Sequence, residues 1–216
     1  MARRLDDEWP LRGSADPVTV YVRHLAERLL GGAEAPGRKQ WRFEVVRNLS
    51  ANAFAVGNGY IVVTDGLVAY VGDESQLAAV LAHEIGHVLE GHFCRGRGRK
   101  TGQEFQVGAL VQHYDPLAEE EADAVAVALL RRAGFDPGAM VSVLRCLAAS
   151  TPSFRPQLNR RIETLERRGL GTTDARPPPD SSGFREARQA VKQDFQGLGS
   201  DSRGVKEECL RPWERP

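Results

Sequence analysis

A five-residue motif, His83-Glu84-Ile85-Gly86-His87, constrains this chain more than any other feature. Residues four apart lie on one face of a helix, with their Cβ atoms about 6 Å apart. His83 and His87 can therefore bind one metal ion through their imidazoles, at about 2.0–2.1 Å each. Glu84 follows His83 directly, so its carboxylate lies beside the ion, where a general base takes a proton from water. The alternative is a buried helix whose two histidines form hydrogen bonds in the core.

The residues before the motif support a helix. Asp73 or Ser75 can cap it, and the pattern predicts that it continues to about residue 93. One side of this helix is apolar, formed by Leu77, Val80, Leu81, Ile85, Val88 and Leu89.

A second motif, Glu119-Glu120-Glu121-Ala122-Asp123, supplies the candidate for a further ligand. A catalytic zinc site needs three protein ligands and one open position. A run of glutamates alone is typical of a solvated face, but this helix also has a buried side formed by Ala122, Val125, Ala126, Leu129 and Leu130. Glu119 and Asp123 are four apart, so both can face the histidine helix. Asp123 can then accept a hydrogen bond from an imidazole N–H and fix its tautomer.

The remaining patterns predict an α+β fold that is mainly helical, with a small antiparallel sheet. Alternating residues predict strands at 41–47, 52–56 and 60–64, with a turn at 57–59. Asp-Pro pairs, at 16–17, 115–116 and 136–137, are typical of helix starts.

The chain divides into an N-terminal extension (1–15), a metallopeptidase-like domain (16–170) and a linker with a C-terminal tail (171–216). The tail follows a Pro-Pro-Pro linker and carries few apolar residues, so we expect it to be disordered or loosely docked. The alternative hypothesis is that a helix at 184–195 covers the metal cleft as a lid.

Composition limits the class of partner and the location. Lys+Arg and Asp+Glu balance at 29 each, whereas a nucleic-acid-binding protein usually has a basic excess. No apolar stretch is long enough for a membrane helix, and the N-terminal residues lack the apolar core of a signal peptide. The three cysteines are widely spaced and indicate no disulfide framework. We therefore expect a soluble, cytoplasmic protein, of unknown oligomeric state.

The paired motifs resemble those of the gluzincin metallopeptidases, which include the heat-shock membrane protease HtpX, the CaaX prenyl proteases and the mitochondrial Oma-type proteases. The family carries H-E-x-x-H on one helix and E-x-x-A-D on a later one. The segment 52–67 is similar to the family's "NAFA…GG.I.V..GLL", and the segment 133–138, AGFDPG, to its "AGYDP". The resemblance spans roughly residues 16–168.

The resemblance implies one zinc ion per chain and a zinc-dependent endopeptidase that acts on peptides or unfolded proteins. The resemblance also implies that the third zinc ligand is Glu119, instead of Glu120 or Glu121, and that Asp123 matches the family's helper aspartate, which orients a ligand. It also implies that substrate adds to an edge strand formed by Asn52, Ala53, Phe54, Ala55 and Val56. The alternative function is a catalytically quiet zinc-binding scaffold or chaperone-like protein, against which Glu84 argues because a structural site needs no base.

One segment departs from the family. Members often carry a "HP…RI..L" segment, and aligning its end with Arg161-Ile162 places Arg155-Pro156 where His-Pro would be. Arg155 could stabilise the oxyanion of a tetrahedral intermediate as a permanent cation, or it could be a surface residue. His92 and Cys94 are out of phase with the metal face and are predicted to be structural.

Overall fold

The first helix, α1 (Pro17–Leu30), begins where the Asp-Pro pair predicts, because Asp16 Oδ1 accepts a hydrogen bond from Val18 N at 2.9 Å. The structure is a computed structural model, and it describes residues 9–31, 40–92, 115–170 and 181–196. Cys94, the linker at 171–180 and the tail residues 197–216 lie outside these ranges.

The sheet has three strands in the described chain: β1 (Arg42–Val46), β2 (Ala53–Gly57) and β3 (Tyr60–Thr64), in the order β1-β3-β2. β2 and β3 form the predicted hairpin, with Asn58 and Gly59 at positive φ in its turn. However, β1 runs parallel to β3. The predicted antiparallel sheet is therefore wrong in this respect, and the sheet is mixed.

The loop between β1 and β2 explains the mixed sheet. It crosses the end of β3, where Thr64 Oγ1 donates to Ser50 O at 2.7 Å and accepts from Asn52 N at 2.9 Å. Gly66 N also donates to Asn48 O, at 2.8 Å. These contacts carry the chain past β3, so β2 pairs on its far side and becomes an edge strand of the described sheet.

Helices make up most of the described chain, which confirms the predicted α+β class. After β3 come α2 (Asp65–Tyr70) and the motif helix α3 (Glu74–Leu89), which Asp73 caps through Gln76 N at 2.9 Å. They are followed by α4 (Pro116–Ala133), α5 (Ala139–Ser150), a 3₁₀ turn (Pro152–Phe154), α6 (Arg155–Arg167) and α7 (Ser182–Gln196). No helix in these ranges is long and apolar enough to cross a bilayer.

A close helix contact positions the two motifs. Gly86 of α3 packs against the backbone of α4, where a Cβ added at Gly86 would lie 2.8 Å from Ala122 O. Such a distance is too short for a real side chain, so glycine permits the approach. Because Ala122 belongs to the second motif, this contact brings Glu119 and Asp123 onto the histidine face of α3.

The tail helix α7 belongs to the hydrophobic core. Phe184, Ala187 and Val191 are buried in it, and Ser181 N donates to Glu74 Oε2 at 2.8 Å. Glu74 precedes His83 by nine residues, about 13 Å along the helix. The described part of the tail is therefore docked at the far end of α3, and the lid hypothesis gains no support from it. The predicted domain boundaries stay predictions.

Candidate metal centre

The two histidines of α3 point at one another. His83 Nε2 and His87 Nε2 are 3.0 Å apart, and both residues are fully buried. The helical spacing places them on one face, as the motif predicts. Two imidazole nitrogens directed at one point can share a metal ion.

Glu119 completes the cluster from α4. Its Oε2 lies 3.4 Å from His83 Nε2, and its Oε1 lies 3.4 Å from His87 Nε2. Ligand atoms of these three residues all lie within 4.8 Å of one another. Glu121, from the same glutamate run, instead contacts His92. The packing of α4 on α3 thus selects Glu119 for the cluster, which sequence spacing alone left open.

Asp123 lies behind the first histidine. Its Oδ1 is 2.9 Å from His83 Nδ1, so the Nδ1–H can donate to the carboxylate. That hydrogen bond fixes the tautomer in which His83 Nε2 carries a lone pair for a metal. The residue therefore lies where a helper carboxylate is needed.

A second histidine partner was missed by the sequence reasoning. His92 Nδ1 lies 2.8 Å from His87 Nδ1, and His92 Nε2 lies 2.9 Å from Glu121 Oε2. The predicted helix ran to residue 93, which puts His92 out of phase with His87. In the structure α3 ends at Leu89, and Gly91 adopts φ 68°, a left-handed conformation that turns the chain back. No local sequence signal other than this glycine indicated the turn.

Arg161 is the arginine that reaches the cluster. Its Nε and Nη2 donate to the two oxygens of Asp123 at 2.8 and 2.7 Å, and its Nη1 donates to Glu119 Oε2 at 2.6 Å. The predicted Arg155 is exposed at the start of α6, and its Nε donates to Ala148 O at 3.0 Å. The structure therefore gives no support to Arg155 as an oxyanion partner. Arg161 stands inside the quoted "RI..L" segment, which was the available signal.

Glu84 lies between the three candidate metal ligands and the sheet. Its Oε2 accepts a hydrogen bond from Ala55 N of β2 at 3.0 Å. Its Oε1 is buried and has no hydrogen-bond partner among the described residues. A buried oxygen without a partner is costly, so this atom is suited to a ligand or water molecule at the site.

Burial and neighbouring charges set the protonation of the cluster. Burial raises the pKa of the Glu84 carboxyl to about 7 and lowers the pKa of His87 to about 4. Burial opposes a charged His83, but hydrogen bonds with Asp123 and Glu119 outweigh it and raise its pKa to about 9. Burial likewise opposes a charged Glu119, yet hydrogen bonds with both histidines hold its pKa well below the usual range.

The charge balance of the cluster fits a divalent cation. Glu84, Glu119 and Asp123 can carry three negative charges, and Arg161 carries one positive charge. Because its pKa is raised to about 9, His83 keeps a proton at neutral pH that it must release to bind a metal. With that proton released and Glu84 ionised, two negative charges remain in a site that is almost closed to solvent. A dication would neutralise that surplus, and nitrogen and carboxylate ligands in this number are typical of a catalytic zinc site.

Comparisons with known proteins agree with this donor set. Residues 18–113 match the profile of Peptidase family M48. The beta-barrel assembly-enhancing protease of Escherichia coli (strain K12) is 33% identical over 181 residues, which cover 68% of this chain and 37% of that protein. The mitochondrial metalloendopeptidase OMA1 of Schizosaccharomyces pombe is 26% identical over 182 residues, which cover 71% of this chain and 53% of that protein.

A third relative, the metalloprotease LoiP of Escherichia coli (strain K12), is 29% identical over 129 residues, covering 49% of this chain and 51% of LoiP. The mainly helical fold, the paired motifs and these matches agree, and the chain belongs to peptidase family M48, among the gluzincins. It spans between about a third and about half of the length of these relatives. Their names give no support to the predicted cytoplasmic location, which stays a prediction.

Proposed function

We propose that this chain is a zinc-dependent endopeptidase in which His83, His87 and Glu119 hold one zinc ion and Glu84 is the general base. The observation that carries the proposal is Glu84 itself: a carboxylate beside the converging ligand atoms, with Oε1 buried and without a hydrogen-bond partner among the described residues. A purely structural metal site has no use for such a group.

A zinc ion at this position would act as a Lewis acid, polarising the scissile carbonyl and lowering the pKa of a water molecule. Glu84 would accept the proton that a water molecule loses as the water oxygen attacks the carbonyl carbon. The same carboxyl then gives the proton to the leaving amine as the C–N bond breaks. A carboxyl whose pKa is raised by burial to about 7 is suited to both halves of this exchange, because it accepts and releases a proton near neutral pH.

Asp123 and Arg161 are proposed to organise the ligands. Asp123 keeps the lone pair of His83 on Nε2 through its contact with Nδ1, at 2.9 Å. Arg161 contacts Asp123 and Glu119 together. A bidentate arginine holds carboxylates in a fixed geometry. Arg161 therefore links Glu119, the proposed third ligand, to Asp123, the partner of His83.

Substrate is proposed to add as a strand along β2, the edge strand of the described sheet. Thr64 N donates to Asn52 O at 3.0 Å, so alternation along the strand directs the N–H and C=O groups of Ala53 and Ala55 away from β3. Ala55 N already binds Glu84, which ties this edge to the base. Main-chain pairing accepts many side chains, which fits peptides or unfolded proteins as the substrate class.

The test compares wild type with Glu84→Gln, a substitution of nearly equal size that removes the base and leaves the ligands. Both proteins are purified in parallel and assayed for zinc content and for hydrolysis of casein and an internally quenched peptide. We expect one zinc per chain in both, with turnover lower in Glu84→Gln by roughly 10²- to 10⁴-fold.

Parallel purification controls for a contaminating protease, because such an activity would survive in Glu84→Gln. Equal activity in the two proteins would show that the measured hydrolysis does not depend on Glu84 and would contradict its role as the base. Stoichiometric zinc with no activity in either would favour the alternative, a catalytically quiet zinc scaffold.

A further inference from the structure

We propose that His92 is a positioning residue for the metal site. His92 fixes the tautomer and ring orientation of His87, and Glu121 holds His92 in place. The inference rests on the proposed function, since it assigns a role toward the zinc ion. It goes beyond the ligands and the base, because neither metal motif contains His92.

The contacts form a continuous chain from the protein surface to the ligand. His87 Nδ1 lies 2.8 Å from His92 Nδ1, and His92 Nε2 lies 2.9 Å from Glu121 Oε2. The two imidazole rings meet edge to face, with centroids 5.0 Å apart. His92 is buried, whereas the side chain of Glu121 is 32% exposed. This series of contacts, from His87 through His92, thus ends at the Glu121 carboxylate, which water can reach.

Among arrangements with neutral imidazoles, one uses all the contacts just described and leaves His87 able to bind a metal. A neutral imidazole has one donor and one acceptor nitrogen. If His87 donates from Nδ1 to His92 Nδ1, then His92 donates from Nε2 to Glu121. The lone pair of His87 then lies on Nε2, which faces His83 Nε2 and Glu119.

The reverse arrangement removes a metal ligand. If His92 carried its proton on Nδ1 and donated it to His87, the proton of His87 would lie on Nε2. That nitrogen is 3.0 Å from His83 Nε2 and 3.4 Å from Glu119 Oε1, so the proton would occupy the place of the metal. The acceptor at His92 Nδ1 therefore decides which nitrogen His87 presents.

The two histidine ligands have partners of different strength. His83 donates directly to Asp123, a buried carboxylate held by Arg161. In the arrangement proposed here, His87 donates to the imidazole of His92, and the carboxylate of Glu121 stands one step further away. Outer partners of this kind typically change metal affinity by about 10- to 100-fold when removed.

A matched pair of variants separates positioning from packing. His92→Asn keeps an acceptor oxygen where Nδ1 stands and loses the contact with Glu121. His92→Gln keeps a polar group where Nε2 stands, toward Glu121, and loses the acceptor for His87. Both are polar, uncharged and of similar size, so a packing role predicts similar effects from the two substitutions.

The experiment measures zinc affinity of the full chain by competition with a chromophoric chelator, together with the visible absorption spectrum of the cobalt-loaded protein. We expect His92→Gln to bind zinc at least about 10-fold more weakly and to change the cobalt spectrum. His92→Asn should stay close to wild type in both, as should the control Glu120→Gln. Circular dichroism in chelator checks that all the variants fold.

Three results would overturn the inference. Wild-type zinc affinity in both His92 variants would leave the metal centre in place and remove only the role of His92. Equal losses in both variants, with folding intact, would show that the acceptor at Nδ1 is not what matters. A wild-type chain that binds no zinc would overturn the proposed function, and this inference with it.

Discussion

Arg12 and Arg161 are both buried and both held by carboxylates, yet of the two clusters only the one around Arg161 contains a group of residues that could hold a metal ion. Arg12 binds the two oxygens of Asp65 at 2.6 and 2.9 Å, and it also contacts Asp16 and Asp194. These partners come from the segment before α1, from α2 and from α7. The Arg12 cluster therefore ties distant parts of the chain together.

The two clusters differ in charge balance and in unsatisfied atoms. Around Arg12, the carboxylates of Asp16 and Asp194 are 18% and 39% exposed, and Arg47 also pairs with Asp194. Around Arg161, three carboxyl groups and two imidazoles share a single permanent cation, and Glu84 Oε1 lacks a hydrogen-bond partner among the described residues. A buried arginine with carboxylates is thus no sign of a functional site by itself. Imidazole and carboxylate atoms that converge beside a buried oxygen without a hydrogen-bond partner together indicate one.

The largest difference between the two clusters is expected when Arg12 and Arg161 are each replaced and the response of the melting temperature to zinc is compared. Arg12→Met and Arg161→Met should each lower the free energy of unfolding in chelator by about 3–5 kcal/mol, because each leaves a buried carboxylate unpaired. Zinc should then raise the melting temperature of Arg161→Met less than that of wild type, because Arg161 holds Glu119 and Asp123 in the geometry that the metal site needs. In Arg12→Met the zinc-induced shift should equal that of wild type.

Thermal unfolding with and without zinc measures both effects. Equal zinc-induced changes in melting temperature in the two variants would show that the Arg161 cluster is no more closely linked to the metal site than the Arg12 cluster. A larger shift in Arg161→Met than in Arg12→Met would contradict the role of Arg161 in holding the ligands.

The next effect concerns the docked tail. Phe184→Ala should lower the free energy of unfolding by about 3 kcal/mol or more, because it leaves a cavity under α7 where Phe184 is fully buried. Activity per folded, zinc-loaded molecule should not change, since α7 docks at the end of α3 away from the histidines. Peptidase assays well below the melting temperature check this, and a clear rise in activity would restore the lid hypothesis.

The smallest effect is expected at the contact between the two motif helices. Gly86→Ala places a Cβ 2.8 Å from Ala122 O, and overpacking of this kind costs about 1–3 kcal/mol of stability. Because α4 must shift to make room, Glu119 moves from the histidines and zinc affinity should fall as well. Chelator competition measures that loss. Unchanged zinc affinity would show that Glu119 follows the histidines without help from this contact.

The sequence predicted the residues whose positions are determined by helical spacing. It did not predict the strand pairing, which depends on contacts between residues distant in sequence. The positions of His83, Glu84 and His87 follow from residues i, i+1 and i+4 of one helix, and the pair Asp115-Pro116 predicted the start of α4. The mixed sheet could not be read from strand patterns, because Thr64 and Gly66 hold the crossing loop through contacts with residues far along the chain. Local patterns do not encode such pairing.

The arginine and the second histidine were missed for related reasons. Arg161 reaches the site because α6, which packs mainly on α5, also contacts α4. No helical period shows which of the nearby arginines points inward. His92 reaches His87 because the helix ends at Leu89 and the chain turns at Gly91. The prediction extended the helix to residue 93, and that error alone placed His92 on the wrong face.

X-ray absorption at the zinc edge of the loaded, full-length chain tests the central claim most directly. The account predicts four nitrogen or oxygen ligands at about 2.0–2.1 Å, with multiple-scattering features of two imidazoles and no sulfur at about 2.3 Å. Glu119→Ala should lose stoichiometric zinc, while Glu120→Ala keeps both the zinc and the spectrum. A sulfur shell, a third imidazole or full zinc occupancy in Glu119→Ala would contradict the assignment of His83, His87 and Glu119 as the ligands.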